Sequence, residues 1–128
     1  MTTTSLPILV PTLTSIPTVQ SFKEIVENNK GTVIIKFGAD WCGPCKQIDA
    51  QVHNWFDHLS KHFPTVHTYL IDVDDNLDVY GFLKNKKMVN GIPAILVYKS
   101  PNKTHIPDDS VLGAKSQEID LLFRRCIA

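Results

Sequence analysis

The sequence predicts an α/β fold in which a central mixed sheet of about five strands is flanked by about four helices. Two observations carry that expectation. Strand-length runs of β-branched and aromatic residues alternate with segments whose apolar residues recur at helical spacing. Near the C-terminus the alternation gives way to two strand-like runs joined by a short turn. Such a hairpin adds antiparallel pairing to a sheet whose other connections are helical crossovers. A chain of 128 residues fits one compact domain with its own core.

Taken in order, residues 1–11 are rich in Thr, Ser and Pro and read as a flexible tail, which leaves 12–128 as the single domain. Leu13 to Ile16 reads as a short edge strand ended by Pro17. Ser21-Phe22-Lys23-Glu24 has the pattern of a capping box, with Phe22, Ile25 and Val26 on one helical face. Asn28, Asn29, Lys30 and Gly31 stop that helix. Thr32 to Phe37 is a continuous β-branched and aromatic run, suited to a strand covered on both faces, and Lys36 is its one charge.

Beyond Cys45, the residues Ile48, Val52, Trp55, Phe56, Leu59 and Phe63 are spaced 4, 3, 1, 3 and 4 apart. That is the period of one long amphipathic helix, stopped before Pro64. Val66 to Val73 reads as a second central strand running into the acidic turn Asp72, Asp74 and Asp75. Leu77 to about Lys87 reads as a helix with Val79, Tyr80 and Leu83 inward. Ile92 to Tyr98, opened by Pro93, is a third apolar strand. After the turn at Ser100-Pro101-Asn102-Lys103, Thr104 to Leu112 reads as a return strand interrupted at Pro107. The last helix is expected to be capped by Ser116 and to bury Ile119, Leu122 and Phe123.

Charge and cysteine content narrow the function classes. Lys plus Arg and Asp plus Glu both total 13, so the basic excess that phosphate neutralisation demands is absent and no nucleic-acid partner is expected. Lys84, Lys86 and Lys87 read as a solvated helix end. No run approaches the ~20 apolar residues of a membrane span, so no membrane partner is expected. The first 22 residues carry no charge, but Pro7, Pro11 and Pro17 interrupt them and no basic n-region precedes them, so a secretory signal is not expected. Three cysteines are too few, and odd in number, for a secreted disulfide framework. A soluble cytoplasmic protein is the expectation.

Cys42 and Cys45 form a C-x-x-C where the Thr32–Phe37 strand has ended and the long helix begins. Unpaired N–H groups and the positive end of a helix favour a thiolate there. Pro44 lacks an N–H, which costs nothing in a first helical turn and stiffens it. Cys42 would attack a substrate disulfide and Cys45 would resolve the mixed disulfide. The competing pattern is a zinc finger, since His58 and His62 follow with Cys2His2 spacing. On one continuous helix, however, Cys45 and His58 stand 13 residues and therefore roughly 20 Å apart, too far for one ion. Neither metal nor cofactor is expected, and His58 and His62 become surface residues.

With these residues in view, the chain resembles the thioredoxin family from about residue 13 to 127. Phe37-Gly38-Ala39-Asp40-Trp41-Cys42-Gly43-Pro44-Cys45-Lys46 is similar to the family's active-site segment. Gly91-Ile92-Pro93 before an apolar strand resembles its cis-proline element, and Val111-Leu112-Gly113-Ala114 its third hallmark. The resemblance implies the thioredoxin fold and a disulfide reductase acting on protein substrates, with a thioredoxin reductase or other thiol donor supplying electrons, and a monomeric state. It makes Cys42 and Cys45 the redox pair, with Trp41, Gly43, Pro44, Lys36 and Pro93 in support. Trp41, Gly91, Ile92, Pro93, Gly113 and Ala114 would form the substrate-docking rim, and Ile92 would offer its backbone to an extended substrate segment. An oxidase or isomerase, and a docking module on the same fold, are the competing functions; Gly43-Pro44 between the cysteines favours reduction.

The sequence departs from the family at four places. Lys36 stands where a buried Asp usually takes the resolving cysteine's proton. There it could act as an amine base, stabilise thiolate as a cation, or simply reach solvent. Thr68 replaces a lysine often found nearby, Ala50 replaces a helix-kinking proline, and the link before Gly91 is longer than usual. Cys126 matches no catalytic position and reads as an inert helix thiol.

Overall fold

The computed structural model describes residues 9–128. Its elements are α1 (Val19–Glu27), β1 (Thr32–Gly38), α2 (Gly43–His62), β2 (Val66–Asp72), α3 (Leu77–Asn85), β3 (Ala94–Lys99), β4 (Asp109–Leu112) and α4 (Ser116–Cys126). The strands form one mixed sheet in the order β2-β1-β3-β4. β1 pairs parallel with β2 and antiparallel with β3, and β4 closes the hairpin on β3. Among the described residues the expected mixed-sheet α/β architecture is therefore present with four helices and four strands, one strand fewer than expected.

The missing strand is the Leu13–Ile16 segment, which makes a single parallel bridge from Leu13 to Tyr69. Leu13 donates to the Thr68 carbonyl at 3.0 Å and accepts from the Leu70 N–H at 2.9 Å. Pro11 and Pro17 have no N–H to lengthen the ladder. The Ile16 N–H turns instead to the buried side chain of Asn76, at 2.9 Å. Of the expected tail, residues 1–8 lie outside the described residues, and Val10 donates its N–H to the Ser60 carbonyl.

Caps shift two helix starts. α1 begins one turn before the expected capping box, because the Thr18 side chain accepts the Ser21 N–H at 2.9 Å. α4 is preceded by Lys115 rather than capped by Ser116, whose hydroxyl bonds Gln51 instead. Prolines and side-chain turns shorten the last strands. Pro93 offers no N–H, so β3 starts at Ala94. Asn102 and Asp108 take up local backbone N–H groups between Lys99 and Thr104, so only Asp109–Leu112 remains to pair as β4.

Each face of β1 is covered, as its β-branched and aromatic run predicts. Val33, Ile35 and Phe37 pack with Phe22 and Val26 of α1 and Val79 and Leu83 of α3. Ile34 packs with Ile48, Val52 and Phe56 of α2 and Ile119, Leu122 and Phe123 of α4. Lys36 belongs by alternation to this second face, toward α2. Beyond it, Gly38 ends β1 and accepts the Val73 N–H at 2.9 Å, which fixes the point where the chain leaves the sheet for α2. α2 is one helix of 20 residues, unbroken at Ala50. Among the described residues no helix is long and apolar enough to cross a membrane.

Candidate active site

Four residues separate the end of β1 from the start of α2, and this loop carries Trp41 and Cys42. The Cys42 N–H returns to the Ala39 carbonyl at 3.1 Å, a tight turn that delivers Cys42 as the N-cap of α2. Its sulfur does what a capping oxygen usually does: it accepts the Cys45 N–H at 3.1 Å. Pro44 occupies the first turn, where its missing donor is one of the unpaired groups anyway. Cys42 and Cys45 are joined as a disulfide with Cα atoms 5.2 Å apart. Both are buried, whereas Trp41, Gly43 and Pro44 around them are exposed. A sulfur at Cys42 thus meets a directed backbone donor and the positive end of a 20-residue helix, the two features that stabilise a thiolate.

Beneath the pair lies Lys36. Its side chain is only 8% exposed, and its Nζ donates to Asp49 Oδ1 at 3.0 Å, so the head is held inside rather than reaching solvent. A Cβ built on Gly38 would stand 2.8 Å from Lys36 Nζ and 3.5 Å from Cys45 Sγ, which bounds their separation at 6.3 Å. Glycine at 38 keeps open the space that the ammonium and the sulfur share. A cavity of about 390 Å³ opens beside them, lined in part by Lys36, Gly38 and Asp49.

Trp41 is 68% exposed, and its indole Nε1 donates to Asp74 Oδ2 at 2.7 Å. That bond ties the active-site loop to the turn after β2. Trp55, in contrast, is stacked on Phe123 at 5.2 Å and donates to Asp120. The bonds from Trp55 and then Gln51 hold the Asp120 carboxyl below its ordinary range. Reduction of the disulfide is therefore expected to change the fluorescence of Trp41 while Trp55 stays a constant background. Fluorescence of Trp41→Phe, followed during reduction, should be flat; an undiminished redox-dependent change would place the reporter elsewhere.

The other expected residues arrive from β3 and β4. Phe37 pairs with Ala94 and Ala94 with Leu112, so Pro93 and Gly113 come to the sheet end where β1 gives way to Cys42. The Ile92–Pro93 bond is cis, and the Pro93 carbonyl accepts the Gly113 N–H at 2.8 Å. Gly113 has φ +96°, a conformation that a side chain would strain. Gly91 has open space where a Cβ would stand, so steric need does not explain it. Ala114 is half-buried against the α2–α4 core.

Two residues now seen at the site were not singled out from the sequence. Asp49 had a legible signal, four residues after Cys45 on a helix and so on the same face. Asp74 had none beyond its place in an acidic turn. Cys126, in the last turn of α4, is half-buried against the α2–α4 core, and burial pushes its thiol up to about 11. His58 and Cys45 lie on the same unbroken helix, so the zinc-finger spacing does not bring them together.

Comparison with known proteins places these observations in one family. Residues 14–121 match the family profile described as Thioredoxin. Thioredoxin-2 of Pyricularia oryzae is 31% identical over 112 residues, covering 88% of this chain, which spans only 58% of that protein's length. An H-type thioredoxin of Fagopyrum esculentum is 31% identical over 105 residues, covering 80% of each chain. Among solved structures, a Plasmodium falciparum thioredoxin matches with a TM-score of 0.65 at 26% identity, over 88% of this chain and 98% of that one. A Malassezia sympodialis thioredoxin matches in fold with a TM-score of 0.69 at 24% identity, over 92% of this chain and 96% of that one.

Proposed function

This chain belongs to the thioredoxin family, and on that premise we propose how its residues divide the work of disulfide reduction. The chain is a thiol–disulfide oxidoreductase. In our reading Cys42 attacks and Cys45 resolves, and the observation that supports this order is the Cys45 N–H directed at Cys42 Sγ. The Cys42 thiolate attacks one sulfur of a protein disulfide. A Cys42–substrate bond forms, and the second substrate sulfur leaves as a thiolate that takes a proton. Cys45 then gives up its proton toward the cavity and attacks Cys42 Sγ. The Cys42–Cys45 bond forms, and the first substrate sulfur departs with the electron pair. Two electrons have passed to the substrate, and a dithiol donor such as a thioredoxin reductase restores the pair.

Trp41, Gly91, Ile92, Pro93, Gly113 and Ala114 form the docking rim in this reading, with Asp74 holding the indole. Lys36 faces the Cys45 thiolate as a cation, and Gly43, Pro44 and Pro93 shape the site. Residues 12–128 act as one domain, as a cytoplasmic monomer. Alkylation with iodoacetamide at neutral pH should modify reduced Cys42 well before Cys45 or Cys126, the latter held as a thiol by its burial. Equal or reversed labelling, read by mass spectrometry, would overturn the order.

The reductase reading is tested by insulin reduction with dithiothreitol as donor. The chain at micromolar concentration should accelerate insulin precipitation well above dithiothreitol alone. A docking module would bind partners and leave that rate unchanged.

A further inference from the structure

We propose that Asp49 is a positioning residue of the exchange reaction. By competing with the Cys45 thiolate for the Lys36 ammonium, it sets how readily the Cys42–Cys45 disulfide is reduced. The proposal rests on the reading that Lys36 faces that thiolate.

The geometry has three parts. Cys45 and Asp49 are four residues apart on α2, so sulfur and carboxylate stand one turn apart on the same helix face. Lys36 reaches both from β1, with Nζ 3.0 Å from the carboxylate and no more than 6.3 Å from the sulfur. Lys36 is also the buried cation of this region, 6% exposed as a residue, while the Asp49 side chain is 43% exposed. Other charged groups line the same cavity: Asp40 from the loop, Lys46 and His53 from α2, and Asp72 and Asp75 from the end of β2 and its turn. Among these carboxylates and Asp49, only Asp49 accepts a hydrogen bond from Lys36. Asp40, Lys46, His53 and Asp75 are exposed, so solvent screens them more strongly.

In the disulfide form the sulfur of Cys45 is neutral, and the ammonium serves Asp49 alone. Reduction by two glutathione thiols puts two electrons into the S–S bond and yields oxidised glutathione. Cys45 then keeps or sheds its proton according to the local field. Once it is a thiolate, two anions share one ammonium. The carboxylate takes one of three donors and offsets the charge, so the thiolate gains less from Lys36 than it otherwise would.

Asp49→Asn keeps the shape and an acceptor oxygen but removes the charge. It should move the redox equilibrium with glutathione about three- to tenfold toward the dithiol, and Cys45 should titrate at lower pH. In a Lys36→Met background the same change should have almost no effect. An unmoved equilibrium would overturn the proposal. So would a shift toward the disulfide, which would make Asp49 only an anchor, or an equal shift without Lys36, which would mean direct action on the sulfur. Lys36→Met by itself separates the two readings. If it shifts the equilibrium while Asp49→Asn does not, only Asp49's role fails; if it shifts nothing, the reading of Lys36 fails as well.

Discussion

Replacing Cys42 with serine lowers insulin reduction to the rate of dithiothreitol alone, whereas Cys45→Ser leaves a half-reaction intact. The asymmetry follows from where each sulfur sits. Cys42 accepts a backbone N–H at the head of α2, and exposed Trp41, Gly43 and Pro44 surround it. Cys45 is 1% exposed and lies above Lys36 and Gly38. A hydroxyl at 42 has no thiolate to attack with, and the buried thiol at 45 does not take over. A hydroxyl at 45 still lets Cys42 form the mixed disulfide, but nothing internal resolves it. Steady-state turnover then depends on external thiol and falls roughly ten- to hundredfold. Insulin turbidity measured for both variants checks the order; equal losses in both would contradict it.

Lys36→Met is the second large effect, and it acts on equilibrium more than on rate. A unit charge pair at about 6 Å is worth about 0.7 kcal/mol in water-like surroundings and about 2.8 kcal/mol at an effective dielectric of about 20. The Lys36 side chain is 8% exposed, so the pair belongs nearer the second figure, offset in part by Asp49. Removing it should raise the pH at which Cys45 titrates and make the disulfide about tenfold harder to reduce against glutathione. Methionine keeps most of the stem. Asp49 is left 43% exposed and can rely on water, so thermal stability should change by no more than about 1 kcal/mol. Thiol absorbance titration and a glutathione equilibrium measure the two quantities. If neither moves, Lys36 is a spectator despite its burial.

The sequence made most of this site legible because its chemistry is local. Cys42, Pro44 and Cys45 fall within four consecutive residues, and a strand-to-helix junction gives that spacing its meaning without any long-range contact. The long helix was equally plain from its apolar period, which also ruled against zinc. What stayed hidden was tertiary. Leu13–Ile16 has strand composition, yet flanking prolines and the Asn76 side chain leave it a single bridge. Ser21-Phe22-Lys23-Glu24 matches a capping box, but Thr18 captures the helix start one turn earlier. Lys36 in an apolar strand was visible as an anomaly; its resolution needed Asp49, 13 residues away on another element. The Trp41–Asp74 bond spans 33 residues and left no mark in any local pattern.

Peptide mapping of the adduct captured by Cys45→Ser tests the central claim most directly. The variant is mixed with a protein disulfide substrate, quenched in acid, digested without reductant and read by mass spectrometry. The account predicts one mixed disulfide, carried by the peptide containing Cys42, and none in Cys42→Ser treated the same way. An adduct on Cys126, or one on Cys45 in Cys42→Ser at comparable yield, would contradict it.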